Sequence, residues 1–163
     1  MENDIQLRVK KSDSVLKFKL LDEDGNDTGE YLQFDVEDMG SALRLQECLE
    51  SHKRNASYIK NQLYIINKKE DHKGKKLLSA NEEAVNRAWN EFFRREMEAL
   101  DLFIGKGKTQ VILNIMGREP YMSMFEDITE LIDPIIPVLE KAYSDFKNKI
   151  EEKYKDKGEN ILE

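Results

Sequence analysis

The segment from Gly105 to Thr109 is the first candidate for chemistry, because its sequence, GKGKT, ends like a phosphate-binding loop. In such a loop, backbone amides cradle the phosphates and the lysine reaches them. The motif also needs a glycine five positions before Gly107, where this chain has Leu102. The loop should follow a strand, whereas a helix is predicted here. We interpret GKGKT as a glycine turn between helices with two solvated lysines, and keep phosphate or nucleotide binding as the least favoured function.

An acidic segment matches part of a calcium-binding loop. Asp22, Asp24 and Asn26 occupy the first three ligand positions of such a loop. The sixth position should be glycine and is Asp27, and the twelfth should be glutamate and is Gln33. Strands rather than helices are predicted on both sides. An acidic hairpin turn is therefore the favoured interpretation, and a weak cation site is the alternative.

The histidines and the cysteine do not form a recognisable catalytic or metal-binding pattern. The chain has two histidines, His52 and His72, and one cysteine, Cys48. A zinc site would therefore need carboxylate ligands. His52 lies on a predicted helical seam and is interpreted as partly buried, and Cys48 as a small buried apolar residue. No nucleophile has a recognisable base, so the sequence predicts a protein that is not an enzyme and has no catalytic, cofactor or metal site.

A basic run separates two predicted helices. It holds five lysines, namely Lys68, Lys69, Lys73, Lys75 and Lys76. A nucleic-acid patch is one interpretation, but no aromatic residue lies within the run to stack on bases. The net charge of −7 also repels a phosphate backbone. The run is therefore interpreted as a solvated loop, and nucleic acid is a disfavoured partner.

Composition places the 163-residue chain among helical globular proteins. Apolar residues make up 39% and charged residues 36%, which suits a modest core beneath large solvated faces. No apolar run is long enough to predict a membrane span. The polar, acidic N-terminal residues predict no secretory signal, and a single cysteine suits a reducing compartment. These features together predict a cytoplasmic protein.

Residues 1–37 show the period-two alternation of strands. Three sets of apolar residues alternate with polar ones: Ile5, Leu7 and Val9; Leu16, Phe18 and Leu20; and Leu32, Phe34 and Val36. Each set predicts a strand with one apolar face. The turn-forming segment from Asp22 to Gly29 joins the second and third sets. The pattern predicts a small antiparallel three-stranded meander.

Helical spacing follows over residues 38–155. A first helix is predicted from about Asp38 to Lys69, with this seam: Leu45, Leu49, His52, Ala56, Ile59, Leu63 and Ile66. A second helix starts with a capping box of Ser79 and Glu82 and ends at Gly105. The large aromatic residue on its apolar stripe, Trp89, is predicted to pack against neighbouring helices.

A short third helix and a long last helix complete the prediction. Thr109 is expected to cap the third helix, which Gly117 ends. Pro134 and Pro137 interrupt the last helix, so either a kink near Asp133 or a brief break is predicted. The predicted fold is thus α+β and mainly α, with a three-stranded sheet followed by a bundle of about four helices. Residues 156–163 are predicted to be a frayed tail.

A cluster of large apolar residues precedes the last helix. Its members are Tyr121, Met122, Met124 and Phe125. Methionine suits surfaces that accept varied apolar partners, so the cluster is a candidate partner-binding patch. The alternative is that these side chains pack beneath the last helix.

The helical part resembles a known family in two segments, EALDLFIGKGKTQVILNIMGREP and FEDITELIDPIIPVLEKAYSDFKNKIEEKY. They are similar to the small tail assembly chaperones of long-tailed phages and prophages of Gram-positive bacteria. In that family a helix runs into a glycine turn, followed by a short helix, a loop and a long amphipathic helix. The resemblance covers roughly residues 36–155 and is best over 80–155.

The resemblance implies a viral, non-enzymatic role in the bacterial host cytoplasm. Family members coat the helical tape-measure protein and help to recruit tail-tube subunits. These two proteins are therefore the expected partners, with self-association into a homo-oligomer as a further expectation and no membrane involved. The alternative function is a structural or adaptor protein of a phage or phage-like particle.

Overall fold

A computed structural model describes residues 5–9, 14–38 and 40–155. Within these ranges the chain forms two strands and five helices. They are β1 (Val15–Leu21), β2 (Asp27–Asp35), α1 (Ser41–Asn67), α2 (Ala80–Ile104), α3 (Lys108–Met116), α4 (Met124–Ile132) and α5 (Ile135–Lys155). The mainly α composition and the antiparallel sheet agree with the prediction. The predicted frayed tail, residues 156–163, lies outside the described residues.

The two strands form a hairpin with one apolar face. Leu16 lies opposite Phe34, and Phe18 lies opposite Leu32. Leu32 and Phe34 are buried, because this face packs on the helices. These two strands therefore form as the period-two pattern predicts.

The first predicted strand is wrong. Ile5, Leu7 and Val9 are 86%, 86% and 93% exposed, and residues 5–9 pair with no strand among the described residues. Alternation determines only which side chains share a face and does not supply a surface against which that face is buried. The hairpin face packs on α2, with the rings of Phe34 and Phe103 5.2 Å apart, whereas the apolar side chains of residues 5–9 stay exposed. The predicted three-stranded sheet is thus a two-stranded hairpin.

Helices α1 and α2 lie antiparallel, and contacts at two levels show it. The amide nitrogen Nδ2 of Asn81, at the start of α2, donates to the carbonyl of Ile66 near the end of α1. Further along, His52 Nδ1 of α1 lies 2.6 Å from Glu96 Oε2 of α2.

The buried face of α1 is turned by one residue from the predicted seam over its first half. Leu49 is 45% exposed and Ala56 is exposed, whereas their neighbours Cys48 and Asn55 are buried. The apolar pattern missed this face because one of its members is polar. Asn55 is buried by its hydrogen bond to a carboxylate of α2 rather than by hydrophobicity.

Buried side chains form two apolar clusters. The larger one joins the hairpin to the end of α2 and to α3 and α4, and it includes Leu32, Leu100, Leu113 and Ile128. The smaller one lies between the second half of α1 and the first half of α2: Ile59, Ile66, Ala88 and Phe92. The division at residue 37 stays a prediction, although the hairpin shares the larger cluster with the helices.

The last predicted helix is broken between Ile132 and Ile135. Pro134 lies in the break, and Pro137 lies in the first turn of α5. Proline lacks the backbone N–H that a helix interior needs but is tolerated in a first turn, where no intrahelical acceptor is available. The break confirms one of the two predicted alternatives and explains why there are five helices rather than about four.

The smaller cluster can be tested at Trp89, which is half-buried beside Phe92 and Phe93, with ring centroids 5.4 and 5.9 Å away. We expect Trp89→Ala to lower the free energy of unfolding by about 3 kcal/mol, the low end for a large aromatic, because the ring is only partly buried. Urea denaturation measures this change. Leu43→Ala is the control, since Leu43 is 57% exposed and should change stability by less than about 0.5 kcal/mol. Equal effects of the two substitutions would contradict the packing of Trp89.

Candidate functional site

The Gly105–Thr109 turn is filled by a carboxylate of the chain itself. Asp101, in the last turn of α2, accepts a hydrogen bond from the Gly107 amide at 2.9 Å. Its other oxygen accepts from the amide and the hydroxyl of Thr109, at 3.0 and 2.6 Å. The N–H groups that would cradle a phosphate therefore already have an anionic acceptor. The interpretation as a glycine turn between helices is confirmed.

Two details of this turn differ from the prediction. Gly107, with φ of +79°, is the N-cap of α3, and Thr109 lies within the first turn with its side chain buried. Asp101 therefore replaces Thr109 as the capping side chain. Lys108 is half-buried, and its ammonium lies 4.9 Å from the ring centroid of Tyr31 on β2. Only Lys106 of the two lysines is fully solvated.

The joint between α2 and α3 should be sensitive to the loss of this carboxylate. Asp101→Ala leaves the amide of Thr109 without its acceptor and its buried hydroxyl with only the carbonyl of Met97, at 3.5 Å. We therefore expect a loss of about 2 kcal/mol in unfolding free energy. Lys108→Ala, the control in the same turn, should cost no more than about 1 kcal/mol, since it removes one cation–π contact of a half-buried lysine and no hydrogen bond of the cap. Chemical denaturation with circular dichroism measures both. A larger effect at Lys108 than at Asp101 would contradict the capping role.

The acidic segment is a hairpin turn, as interpreted. Oδ1 of Asp22 accepts the backbone N–H groups of Asp24 and Asn26, at 3.0 and 2.8 Å. Asp27 accepts the amide of Gly29 at 2.9 Å, and this bond lowers the pKa of Asp27. The carboxylate of Asp22, the first of the candidate cation ligands, therefore accepts hydrogen bonds from its own backbone.

The basic connection between α1 and α2 is exposed over residues 68–77, as a solvated loop should be. Lys68 lies over the ring of Tyr64, with its ammonium 4.2 Å from the centroid. Lys76 lies 3.7 Å from a carboxylate oxygen of Glu83. Contacts within the chain therefore engage part of the positive charge of this loop.

The predicted patch at residues 121–125 is not one exposed surface. Met124 and Phe125 are 1% and 4% exposed and belong to the larger cluster, which makes the exposed-patch interpretation wrong for both. Their burial follows from helix geometry, because they form the first turn of α4, whose apolar side faces the core. Tyr121 is half-buried and donates a hydrogen bond to Asp127, while Met122 is 66% exposed. No result tests partner binding by any of the four.

A buried polar cluster, which the sequence did not reveal, lies between α1, α2 and α4. Glu96 is 2% exposed; its Oε2 lies 2.6 Å from His52 Nδ1, and its Oε1 accepts from Asn55 Nδ2 at 2.8 Å. The ring of His52 stacks on Phe125, with centroids 3.8 Å apart. His52 Nε2 lies 3.6 Å from an oxygen of Glu126. His52 is thus partly buried, as predicted, but its position between two carboxylates depends on packing.

Burial dominates the electrostatics of this cluster. It raises the pKa of Glu96, against the opposing effects of the Asn55 hydrogen bond and of His52. Burial, together with the charge of Glu96, raises the pKa of the Cys48 thiol to about 11. The thiol is therefore protonated at neutral pH, and a protonated, buried thiol is a poor nucleophile. The cluster joins three helices, through the hydrogen bonds of Glu96 to α1 and the stacking of His52 on α4.

Glu96 should give the protein a measurable pH dependence. Because its folded pKa is raised above the unfolded value, its contribution to stability is complete below about pH 4.3 and is lost as the pH rises through the folded pKa. Glu96→Gln keeps the volume and removes the titration. We expect the stability of this variant relative to wild type to increase between pH 4.5 and pH 7.5, as measured by urea denaturation.

Glu98→Gln is the control for this experiment, because Glu98 lies on the same helix with a side chain that is 65% exposed. Its relative stability should change much less over the same pH range. A difference between Glu96→Gln and wild type that does not vary with pH would contradict the role of burial.

A groove between the hairpin, α3 and α4 has a volume of about 550 Å³. We call it the hairpin groove, and its lining is Lys19, Leu20, Leu21, Asp22, Glu23, Ile112, Ile115, Met116 and Leu131. Leu21, Met116 and Leu131 are 54%, 38% and 48% exposed. The three side chains come from three separate elements, so no local sequence pattern predicts that they lie together. An apolar groove with a charged rim is typical of a protein-binding surface.

Comparisons with known proteins found no counterpart: no family model, curated protein or solved structure matches the chain. Within the described residues, no group of three or more histidine, cysteine, aspartate or glutamate side chains is placed to hold a metal ion. None of the helices in the described part combines the length and apolar character needed to cross a membrane.

Proposed function

We propose that this protein is a non-enzymatic tail assembly chaperone of a long-tailed phage or prophage. It binds helical segments of the tape-measure protein and helps to recruit tail-tube subunits in the cytoplasm of the bacterial host. The resemblance of the helical segments supports the class of function. The hairpin groove is the single structural observation that supports binding of a helix.

The shape and chemistry of the hairpin groove suit one face of an amphipathic helix. Such helices bind through apolar anchors at positions i, i+3 or i+4, and i+7. Leu21, Met116 and Leu131 offer three partly exposed apolar contacts on different sides of the groove. The flexible thioether of Met116 can adapt to anchors of different size, which suits a surface that must bind many turns of one long partner.

Charges around the groove complement this binding mode. Lys19, Asp22 and Glu23 line the groove on the hairpin side and can contact polar residues flanking the anchors of a helix. The net charge of −7 favours solubility of a protein that exposes apolar grooves. The non-enzymatic part of the proposal is supported by the buried, protonated thiol of Cys48 and by the occupied turn at Gly107.

The alternative function, a structural or adaptor protein of the particle, would use the same groove in a permanent interface. The two functions differ in persistence, because a chaperone leaves before the particle is complete. Mass spectrometry of purified particles distinguishes them: the proposed chaperone should be absent. A tail-tube gene upstream and a tape-measure gene downstream would support the phage assignment.

The groove itself is tested by Leu131→Gln, which replaces an apolar anchor by a polar side chain of similar size. If the partner buries about 80 Å² of Leu131 at about 25 cal/mol per Å², the loss is about 2 kcal/mol, or about thirtyfold in affinity. The matched control is Leu49→Gln, since Leu49 is 45% exposed, against 48% for Leu131, and lies on α1. Binding is measured by pull-down and calorimetry with the long helical product of the adjacent gene, after circular dichroism confirms folding.

Equal loss of binding in the two variants would rule out the hairpin groove as the site. If the wild-type protein does not bind the tape-measure product at all, the chaperone function itself fails.

A further inference from the structure

Helix α5 is attached to the rest of the protein by apolar contacts alone. It has no buried residue, whereas each of the other four described helices has at least three. Ile135 and Leu139 pack against the larger cluster as partly buried side chains. Within the described residues, no side-chain hydrogen bond or ion pair joins α5 to another element. Its attachment therefore lacks the polar contacts that hold α1, α2 and α4 together.

The contact between α5 and the body of the protein is incomplete. An apolar pocket of about 160 Å³, partly open to solvent, lies between α5 and the body of the protein. We call the body side of this contact the strap groove, formed by Ser41, Ala42 and Leu45 of α1 and Phe103 of α2. Because the pocket is open to solvent, part of the apolar surface of the groove is not covered by α5.

The connection between α4 and α5 has the features of a hinge. Two residues, Asp133 and Pro134, separate the helices, and one backbone bond, from the Ile136 amide to the Asp133 carbonyl at 3.2 Å, crosses the junction. Pro134 and Pro137 have no backbone N–H with which to continue the ladder of α4. Pro134 has a fixed φ, but Asp133 before it lies in the αR region, which a following proline disfavours. Rotation of Asp133 toward the extended region is therefore enough to reorient α5.

We propose that α5 is a displaceable strap, and that an amphipathic helix of a partner takes its place in the strap groove. The residues of α5 that line the groove define the chemistry of that helix. Four residues of α5 line the groove: Ile136, Leu139, Glu140 and Tyr143. The three apolar ones have the spacing i, i+3, i+7, which is the anchor spacing of helix-in-groove recognition. A partner helix with aliphatic or aromatic residues at this spacing can make the same contacts. This inference rests on the proposed function only for the identity of the natural partner.

The strap has a definite thermodynamic consequence. A partner helix binds only when α5 is displaced, so the apparent dissociation constant is the intrinsic one divided by the open fraction. Substitutions that weaken α5 without changing the body side of the groove must therefore tighten binding of a helix in trans. If α5 is instead part of the binding surface, the same substitutions should weaken the binding of that helix.

The test uses the full-length protein and a fluorescein-labelled synthetic peptide with the sequence of residues 133–155 as the probe. The double variant Leu139→Ser and Tyr143→Ser weakens α5, and we expect it to bind the peptide at least about tenfold more tightly than wild type does in fluorescence anisotropy. Hydrogen exchange of the α5 amides, read by mass spectrometry, should also be faster in this variant. The matched control is Lys141→Ser with Lys147→Ser, because both lysines are exposed on α5, and neither change is expected.

A third variant locates the peptide. Ala42→Glu, added to the double variant, places a charge in the strap groove at an exposed position and should reduce peptide binding at least tenfold. Circular dichroism checks that α1 is intact. Equal peptide affinity of wild type and double variant, unchanged exchange of α5, or binding that Ala42→Glu does not reduce would each overturn the strap.

The outcome is independent of the proposed function, because the probe comes from this chain. Tight peptide binding by the double variant, together with no binding of the tape-measure product, overturns the chaperone function and supports the strap. Binding of that product at the hairpin groove, together with equal peptide affinity, supports the chaperone function and overturns the strap.

Discussion

The arrangement of α1, α2 and α4 depends on the contacts of the buried carboxyl group of Glu96 with His52 and Asn55. A charge that is 2% exposed is tolerated only where hydrogen-bond donors meet it, and α1 supplies them from His52 and Asn55. These two contacts determine which face of α1 meets α2. The stacking of His52 on Phe125 then places the first turn of α4 against the same pair of helices. One carboxylate thus links the register of three helices.

A second internal carboxylate sets the direction of the chain after α2. Asp101 accepts hydrogen bonds from the backbone of the following turn and from Thr109, which fixes where α3 begins. Glu96 and Asp101 lie five positions apart on α2, and both accept hydrogen bonds that hold neighbouring elements in place. This use explains how a chain rich in charged residues builds a defined core, because some of those charges are satisfied inside the fold.

The two proposed binding surfaces, the hairpin groove and the strap groove, lie away from the polar contacts of Glu96 and Asp101. The hairpin groove lies between elements joined by apolar packing, and α5 rests on the body by apolar packing alone. Apolar contacts are not directional, so they permit exchange of one helical partner for another more readily than a hydrogen-bonded junction does. The rigid part and the adaptable part of the molecule are therefore distinguished by the kind of interaction that holds them.

The sequence by itself determined the features that depend on neighbouring residues. Ser79 caps α2 through the Glu82 amide, Gly117 ends α3 in a left-handed conformation, and Pro134 breaks the last helix. Each follows from backbone chemistry within a few positions, which a single chain segment contains.

Only the tertiary structure decided which side of each element is buried and what occupies each turn. Ile5, Leu7 and Val9 alternate as the residues of a strand do, yet they stay exposed, because alternation alone supplies no partner strand or surface. Asn55 is buried because Glu96, 41 residues away, accepts its hydrogen bond. The sequence pattern suggested that Met124 and Phe125 are exposed, but in the fold α4 directs both side chains into the larger cluster. These outcomes depend on contacts between distant segments, and periodicity along one segment carries no information about its partner.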